Sequence, residues 1–201
     1  LIFSTTEKQL SRYETIISPY REFFGRSLPA EKQYWTLSAQ CSEDGGLISE
    51  SEFNQILEEG LIQPDQFHGV DTDREAVIQN KKIGFGNFHH GDIYSVMANF
   101  RGLNPGVVNL DLLRTFETEK ELIKKMFLLL SGYTDFIFNI NVLFSSHRVS
   151  YRDPQDILRV LGSDPDFYRT FTKYDWGRHL VVYPYKGIGP RTKMVSLTFR
   201  K

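Results

Sequence analysis

Three acids stand just beyond short apolar segments of this chain. Asp71 follows Phe67-His68-Gly69-Val70, Asp92 follows Asn87-Phe88-His89-His90-Gly91, and Asp111 closes Val107-Val108-Asn109-Leu110-Asp111. Asp71 and Asp92 are 21 residues apart, and Asp92 and Asp111 are 19. A carboxylate at a strand tip can accept two hydrogen bonds strengthened by its charge, which suits two vicinal ribose hydroxyls. That is the chemistry read for Asp71, with Thr72 beside it. Asp92, followed by apolar Ile93, can accept from an exocyclic amine such as that of adenine. The stretch from Ser38 through Gln40 to Gly45 and Gly46 follows another apolar segment, and its small residues let a ligand approach the backbone. The plainer roles are a helix-cap neighbour for Asp71, a Gly-Asp turn for Asp92 and a turn acid or Arg114 partner for Asp111.

Other reactive residue types carry less. His89 and His90 are adjacent, so on a strand they face opposite ways and cannot easily chelate one ion. His68 could join one of them, but no full ligand set accompanies it. Cys41 is the sole cysteine. It reads as a small buried filler more readily than as a nucleophile. Ser145-Ser146-His147 lacks the strand-turn-helix elbow of a hydrolase nucleophile. The stretch from Tyr183 to Lys193 mixes Tyr185 with Lys186, Arg191, Lys193 and glycines. It could stack on bases while holding phosphates, or be a polar hairpin loop that binds nothing.

The elements that must position these groups alternate. Leu10, Tyr13, Ile16, Ile17 and Tyr20 mark one helical face, with a second helix opening at Ser18-Pro19 and stopping at Gly25. Strands are expected at 34–39, 66–70, 87–90, 106–110 and 135–143. The last is apolar on both faces and so belongs in the middle of a covered sheet. Helices open with capping boxes at Ser49/Glu52, Thr72/Glu75 and Thr118/Glu121. Two more are expected from Asp153-Pro154 to Gly162 and over about 165–174. Strands at 179–183 and 194–199 have no room for a helix between them and must pair antiparallel. The fold class is therefore α/β: a Rossmann-like three-layer sandwich on a mostly parallel seven-stranded sheet with a C-terminal antiparallel hairpin. Residues 1–33 form an N-terminal helical arm and 34–201 the α/β domain. Ligands of such sheets bind outside the carboxyl ends of the strands, where the acids stand.

This arrangement resembles the class I S-adenosylmethionine-dependent methyltransferases over about residues 34–201, mostly as topology. Asp71 matches that family's ribose-binding acid, Gly91-Asp92-Ile93 its adenine-contacting acid and apolar neighbour, and Val107-Val108-Asn109-Leu110-Asp111 its fourth-strand motif. The closing hairpin matches too. The resemblance implies S-adenosylmethionine as cofactor, held by Ser38, Gln40, Gly45, Gly46, Asp71, Thr72, Asp92 and Ile93. Asn109 or Asp111 would orient the methyl acceptor. The departure is the first loop: the family's acid-x-Gly-x-Gly-x-Gly is reduced here to a late Gly45-Gly46. The Asn/Asp-Pro-Pro-aromatic signature of amino-directed DNA methyltransferases is also absent.

Composition sets the outer limits. With 201 residues, 40% of them hydrophobic, the chain can bury roughly 70% of its unfolded surface and needs no staples. A single cysteine excludes a disulfide scaffold and a cysteine-built zinc site. No apolar run reaches the ~20 residues of a membrane helix. The net charge of -1 hides an asymmetry. Residues 1–144 carry 13 Lys+Arg against 20 Asp+Glu, and residues 145–201 carry 11 against 5. The basic third could meet a polyanion through Tyr185, Lys186, Arg191 and Lys193. The functional expectation is a cytoplasmic methyltransferase, with nucleic acid slightly preferred as acceptor. The alternatives are a non-catalytic binding or assembly module of the same fold and, less well supported, a nicotinamide-linked oxidoreductase.

Overall fold

A computed structural model describes residues 6–38, 40–143, 159, 162–174, 176, 180–186 and 193–201. Five parallel strands form most of its main sheet: β1 (Gln33–Leu37), β4 (Phe67–Asp71), β5 (Asn87–His90), β6 (Pro105–Thr115) and β7 (Ile137–Leu143). The antiparallel pair β8 (Leu180–Lys186) and β9 (Lys193–Arg200) completes it, in the order β5-β4-β1-β6-β7-β9-β8. Seven strands and the terminal hairpin stand as the sequence implies. The order turns back on itself between β1 and β6, and a crevice opens at such a reversal.

Periodicity places the layers. Trp35, Val70, Val108, Phe138 and Leu197 share one face of the sheet with residues of α5 (Ile93–Ala98), α6 (Phe116–Leu130) and α7 (Pro165–Lys173). Phe127 of α6 is fully buried there against Phe138, Phe167, Trp176 and Phe199. Burying one such ring contributes about 2–3 kcal/mol. Tyr34, Phe67, Val107 and Ile137 line the other face, covered by α3 (Glu52–Glu58), Val77 of α4 (Arg74–Lys81) and the N-terminal arm. No helix among the described residues is long and apolar enough to cross a membrane.

The arm differs from its sequence reading. The helical course does not break at Ser18. Instead α1 (Thr6–Arg12) runs through a π-helical turn (Tyr13–Ile17) into α2 (Ser18–Phe24). The Ser18 N–H reaches back to the Tyr13 carbonyl, five residues away. A proline ring crowds the turn before it, and the wide turn lies directly ahead of Pro19. The buried face then comprises Ser11, Arg12, Thr15, Ile16, Ile17 and Tyr20, whereas Leu10 and Tyr13 are exposed.

Cap positions also shift. α3 is capped by Ser51, whose side chain accepts from the Asn54 N–H, and not by Ser49. α4 is capped by Asp73 rather than Thr72. α6 begins at Phe116, so Thr118 lies inside it. The glycine-bearing loop after β1 is a small hairpin, β2 (Ser42–Glu43) with β3 (Gly46–Leu47), turned through Asp44 and Gly45, both at positive φ. β6 continues past Asp111, with a register shift between Asp111 and Thr115. The helix expected from Asp153 falls largely outside the described residues, as do Ser145, Ser146 and His147.

His68 and His89 share a face, with nearly parallel rings 5.3 Å apart, and both stack on Trp35. His90 turns the other way, toward the Thr72 carbonyl. Among the described residues no three His, Cys, Asp or Glu side chains gather to hold a metal. Burial, and then His89, pushes His68 down from 6.5 to about 4, and burial lowers His89 too. The unfolded chain therefore takes up these protons first as pH falls. Stability present above pH 6.5 should decline as pH falls toward about 4. Urea unfolding should show this, and His68→Phe should flatten the decline above about pH 5, where carboxylates do not yet titrate.

Candidate functional site

A cavity of about 620 Å³ opens at the carboxyl ends of β4, β1 and β6, at the strand-order reversal. Its walls are Leu37 at the end of β1, Ser38 and Gln40 after it, Val70 to Asp73 at the end of β4, Glu75, Ala76 and Gln79 of α4, and Asp111 on β6. Lys8 of α1 closes one side. The volume is within the range of small-molecule sites.

The Asp71 carboxylate is half-buried at the tip of β4 and accepts from the Asp73 N–H at 2.8 Å. Burial is the largest influence on it and pushes its carboxyl above the usual range. A carboxylate held this way gains from added hydrogen-bond donors. Ser38 is buried, and its hydroxyl has no hydrogen-bond partner among the described residues. It can sit there because residue 69 is glycine: a Cβ would stand 2.8 Å from the Ser38 Cβ and 2.9 Å from the Phe88 ring. The loop beyond is pinned by buried Asn80, whose side-chain oxygen accepts from the N–H groups of Cys41 (2.7 Å) and Ser42 (3.2 Å). Burial pushes the Cys41 thiol up to about 12, so it is not a thiolate.

Ser38, Gln40, Asp71, Thr72 and Asp111 thus share one cavity. The other residues singled out from sequence stand elsewhere. Gly45 lies in the β2–β3 turn against Lys82, and Gly46 opens β3. Asp92 caps α5, accepting from the Ser95 N–H, and hydrogen bonding from the Ser95 hydroxyl and then from that N–H holds its carboxyl below the usual range. Ile93 is in the core. The Tyr185 hydroxyl is buried, has no partner among the described residues, and is raised by burial and then by the Asp111 charge. Arg191 and the side chains of Lys186 and Lys193 lie outside the described residues.

Asn109 is sealed inside. Its amide nitrogen donates to both Glu52 oxygens at 3.0 Å, and its oxygen accepts from Asn139 (2.8 Å) and Asn141 (3.0 Å). Glu52, read from sequence as a cap, points inward and accepts from the Tyr34 hydroxyl at 2.8 Å. Arg12 stands 3.6 Å from it and also donates to Gln55. The network continues from Asn139 to Ser196 and Thr198, and from Ser196 to Thr15 of the arm. Glu52, Arg12, Asn80 and Lys8 carried no sequence signal for these roles.

No protein-family model and no curated protein matches the sequence. Solved structures do match. TrmK of M. capricolum, in complex with S-adenosyl-homocysteine, shares 10% identity over 92% of this chain and 67% of its own, with a TM-score of 0.51. The plantazolicin methyltransferase BamL, in complex with a triazolic desmethylPZN analog and SAH, shares 12% over 97% and 85%, with a TM-score of 0.53. The delta-N METTL16 MTase domain shares 8% over 99% and 84%, with a TM-score of 0.54. These likenesses establish the fold. The chain has the class I methyltransferase fold, as the strand order and closing hairpin imply.

Removing Glu52 should be costly. Glu52→Ala takes the acceptor from Tyr34 and Asn109 and the carboxylate from buried Arg12. Breaking a buried charged network of this kind costs about 3–5 kcal/mol. Chemical denaturation checks it, and a loss confined to a few tenths would mean that water already serves these groups.

Proposed function

We propose that this chain is an S-adenosylmethionine-dependent methyltransferase whose cofactor lies in the cavity between the ends of β4, β1 and β6. One observation carries this reading. Half-buried Asp71, and Ser38, whose buried hydroxyl has no hydrogen-bond partner among the described residues, line one cavity at the reversal of strand order. Orphaned buried polar atoms call for an explanation, and a polyhydroxylated ligand supplies one.

Asp71 would hold the ribose hydroxyls, with Thr72 beside it. Ser38 and Gln40 would meet the amino-acid portion. Asp92 does not line the cavity, so the adenine end falls to Asp73 and the α4 wall. Bound there, the cofactor would supply an already activated methyl group, leaving the protein to align an acceptor with it. Asn109 is closed off by Glu52, so Asp111 is the fourth-strand residue in reach of an acceptor. A nucleic-acid acceptor draws its support from the basic charge of residues 145–201.

A second reading, a binding or assembly module without catalysis, is favoured by one feature. The loop after β1 lacks the glycine series and has its backbone N–H groups turned onto Asn80. Calorimetric titration with S-adenosyl-homocysteine separates the two. The enzyme reading expects saturable binding, weakened by about 1.5–3 kcal/mol in Asp71→Ala through loss of charged hydrogen bonds. No binding at millimolar ligand would end that reading, and an unchanged affinity in the variant would remove Asp71 from the site.

A further inference from the structure

The Asp111 end of the cavity already holds a cation, and the cation belongs to the chain itself. Lys8 Nζ is ion-paired with Asp111 Oδ2, and the two side chains are only 13% and 11% exposed. The other carboxylate oxygen, Oδ1, is buried without a hydrogen-bond partner among the described residues. Two more polar atoms are left in the same condition beneath α1: the Tyr185 hydroxyl on β8, and the Ser11 hydroxyl one helical turn from Lys8. Buried acceptors in this state ask for donors. The neighbouring cation, Arg12, faces Glu52 and Gln55.

The way α1 is held allows exchange. Its buried residues are Ser11 and Arg12, both polar, while Leu10 faces solvent. Apolar anchoring begins at Ile16 and Ile17, in the π-helical turn. An ion pair can be traded for another of the same chemistry, whereas a packed apolar contact cannot.

We propose that Asp111 is the seat of a small alkylammonium ligand, and that Lys8 occupies this seat as an internal stand-in. An ammonium carries three N–H donors. An untethered ammonium seated where the Lys8 head stands is free to turn its donors toward both carboxylate oxygens, whereas Lys8 leaves Oδ1 without a partner among the described residues. A carboxylate or phosphate would be repelled by Asp111, and a neutral alcohol cannot replace the buried charge. The binding of an ammonium stands by itself.

The test uses n-butylammonium chloride, which copies the four-carbon stem and head of lysine, on the full chain with Lys8→Ala. Melting should rise saturably, by about 2–4 °C at roughly five times Kd. Sodium chloride at equal ionic strength and 1-butanol should have no such effect. The wild type should respond less, because tethered Lys8 competes. Lys8→Ala combined with Asp111→Asn should not respond. If Lys8→Ala does not fold, Lys8→Met retains most of the stem and takes the same titration. An equal response to butanol, an equal response in the double variant, or none in the single variant overturns the proposal. Saturable butylammonium binding without S-adenosyl-homocysteine binding would remove the methyltransferase reading and leave the seat standing.

Discussion

The inward turn of the Glu52 carboxylate is the constraint around which the N-terminal arm and the sheet are arranged. A carboxylate in that position is tolerated only if every side of it is met by donors. Tyr34 of β1 and Asn109 of β6 donate directly, and Arg12 of α1 brings the opposing charge. Asn109, spent on Glu52, presents its oxygen to Asn139 and Asn141 of β7. Asn139 in turn accepts from Ser196 and Thr198 of β9. One buried charge thereby links α3, the arm and four strands through hydrogen bonds, on a face that an α/β sheet would ordinarily fill with branched aliphatics.

This seam divides two polar positions of β6 by function. Asn109 supports the seam and is withdrawn from the cavity, while Asp111, two residues on and on the same face, stands at its mouth. The same economy is seen on β4. Gly69 has no side chain, so Ser38 can close on it, and Asp71 at the strand tip is left with burial and few donors. Buried oxygens beside the cavity that have no partner among the described residues cost stability, and binding sites commonly carry that cost.

Much of the fold was legible because it is local. Alternation of strand and helix, the doubly apolar β7 and the short connection before β9 yield a mostly parallel sheet with an antiparallel end. The acid at the tip of β4 was legible for the same reason: a strand's end is marked by its own turn chemistry. The misread elements are instructive. Ser49/Glu52 has the spacing of a capping box, but Ser51 caps the helix and Glu52 is drawn into the interior. Ser18-Pro19 has the look of a helix start, but the arm keeps its course by widening one turn ahead of the proline.

The sequence alone determined the fold class, the order of the elements and which acids lie near strand ends, since periodicity and turn residues act over a few positions. Tertiary structure alone decided which groups face the cavity and which are consumed inside. Glu52 meets Asn109 across 57 residues, Ser196 meets Thr15 across 181, and Lys8 reaches Asp111 from the far end of the chain. A buried polar group takes whatever partner the packed fold brings within about 3 Å, and no local pattern records that pairing.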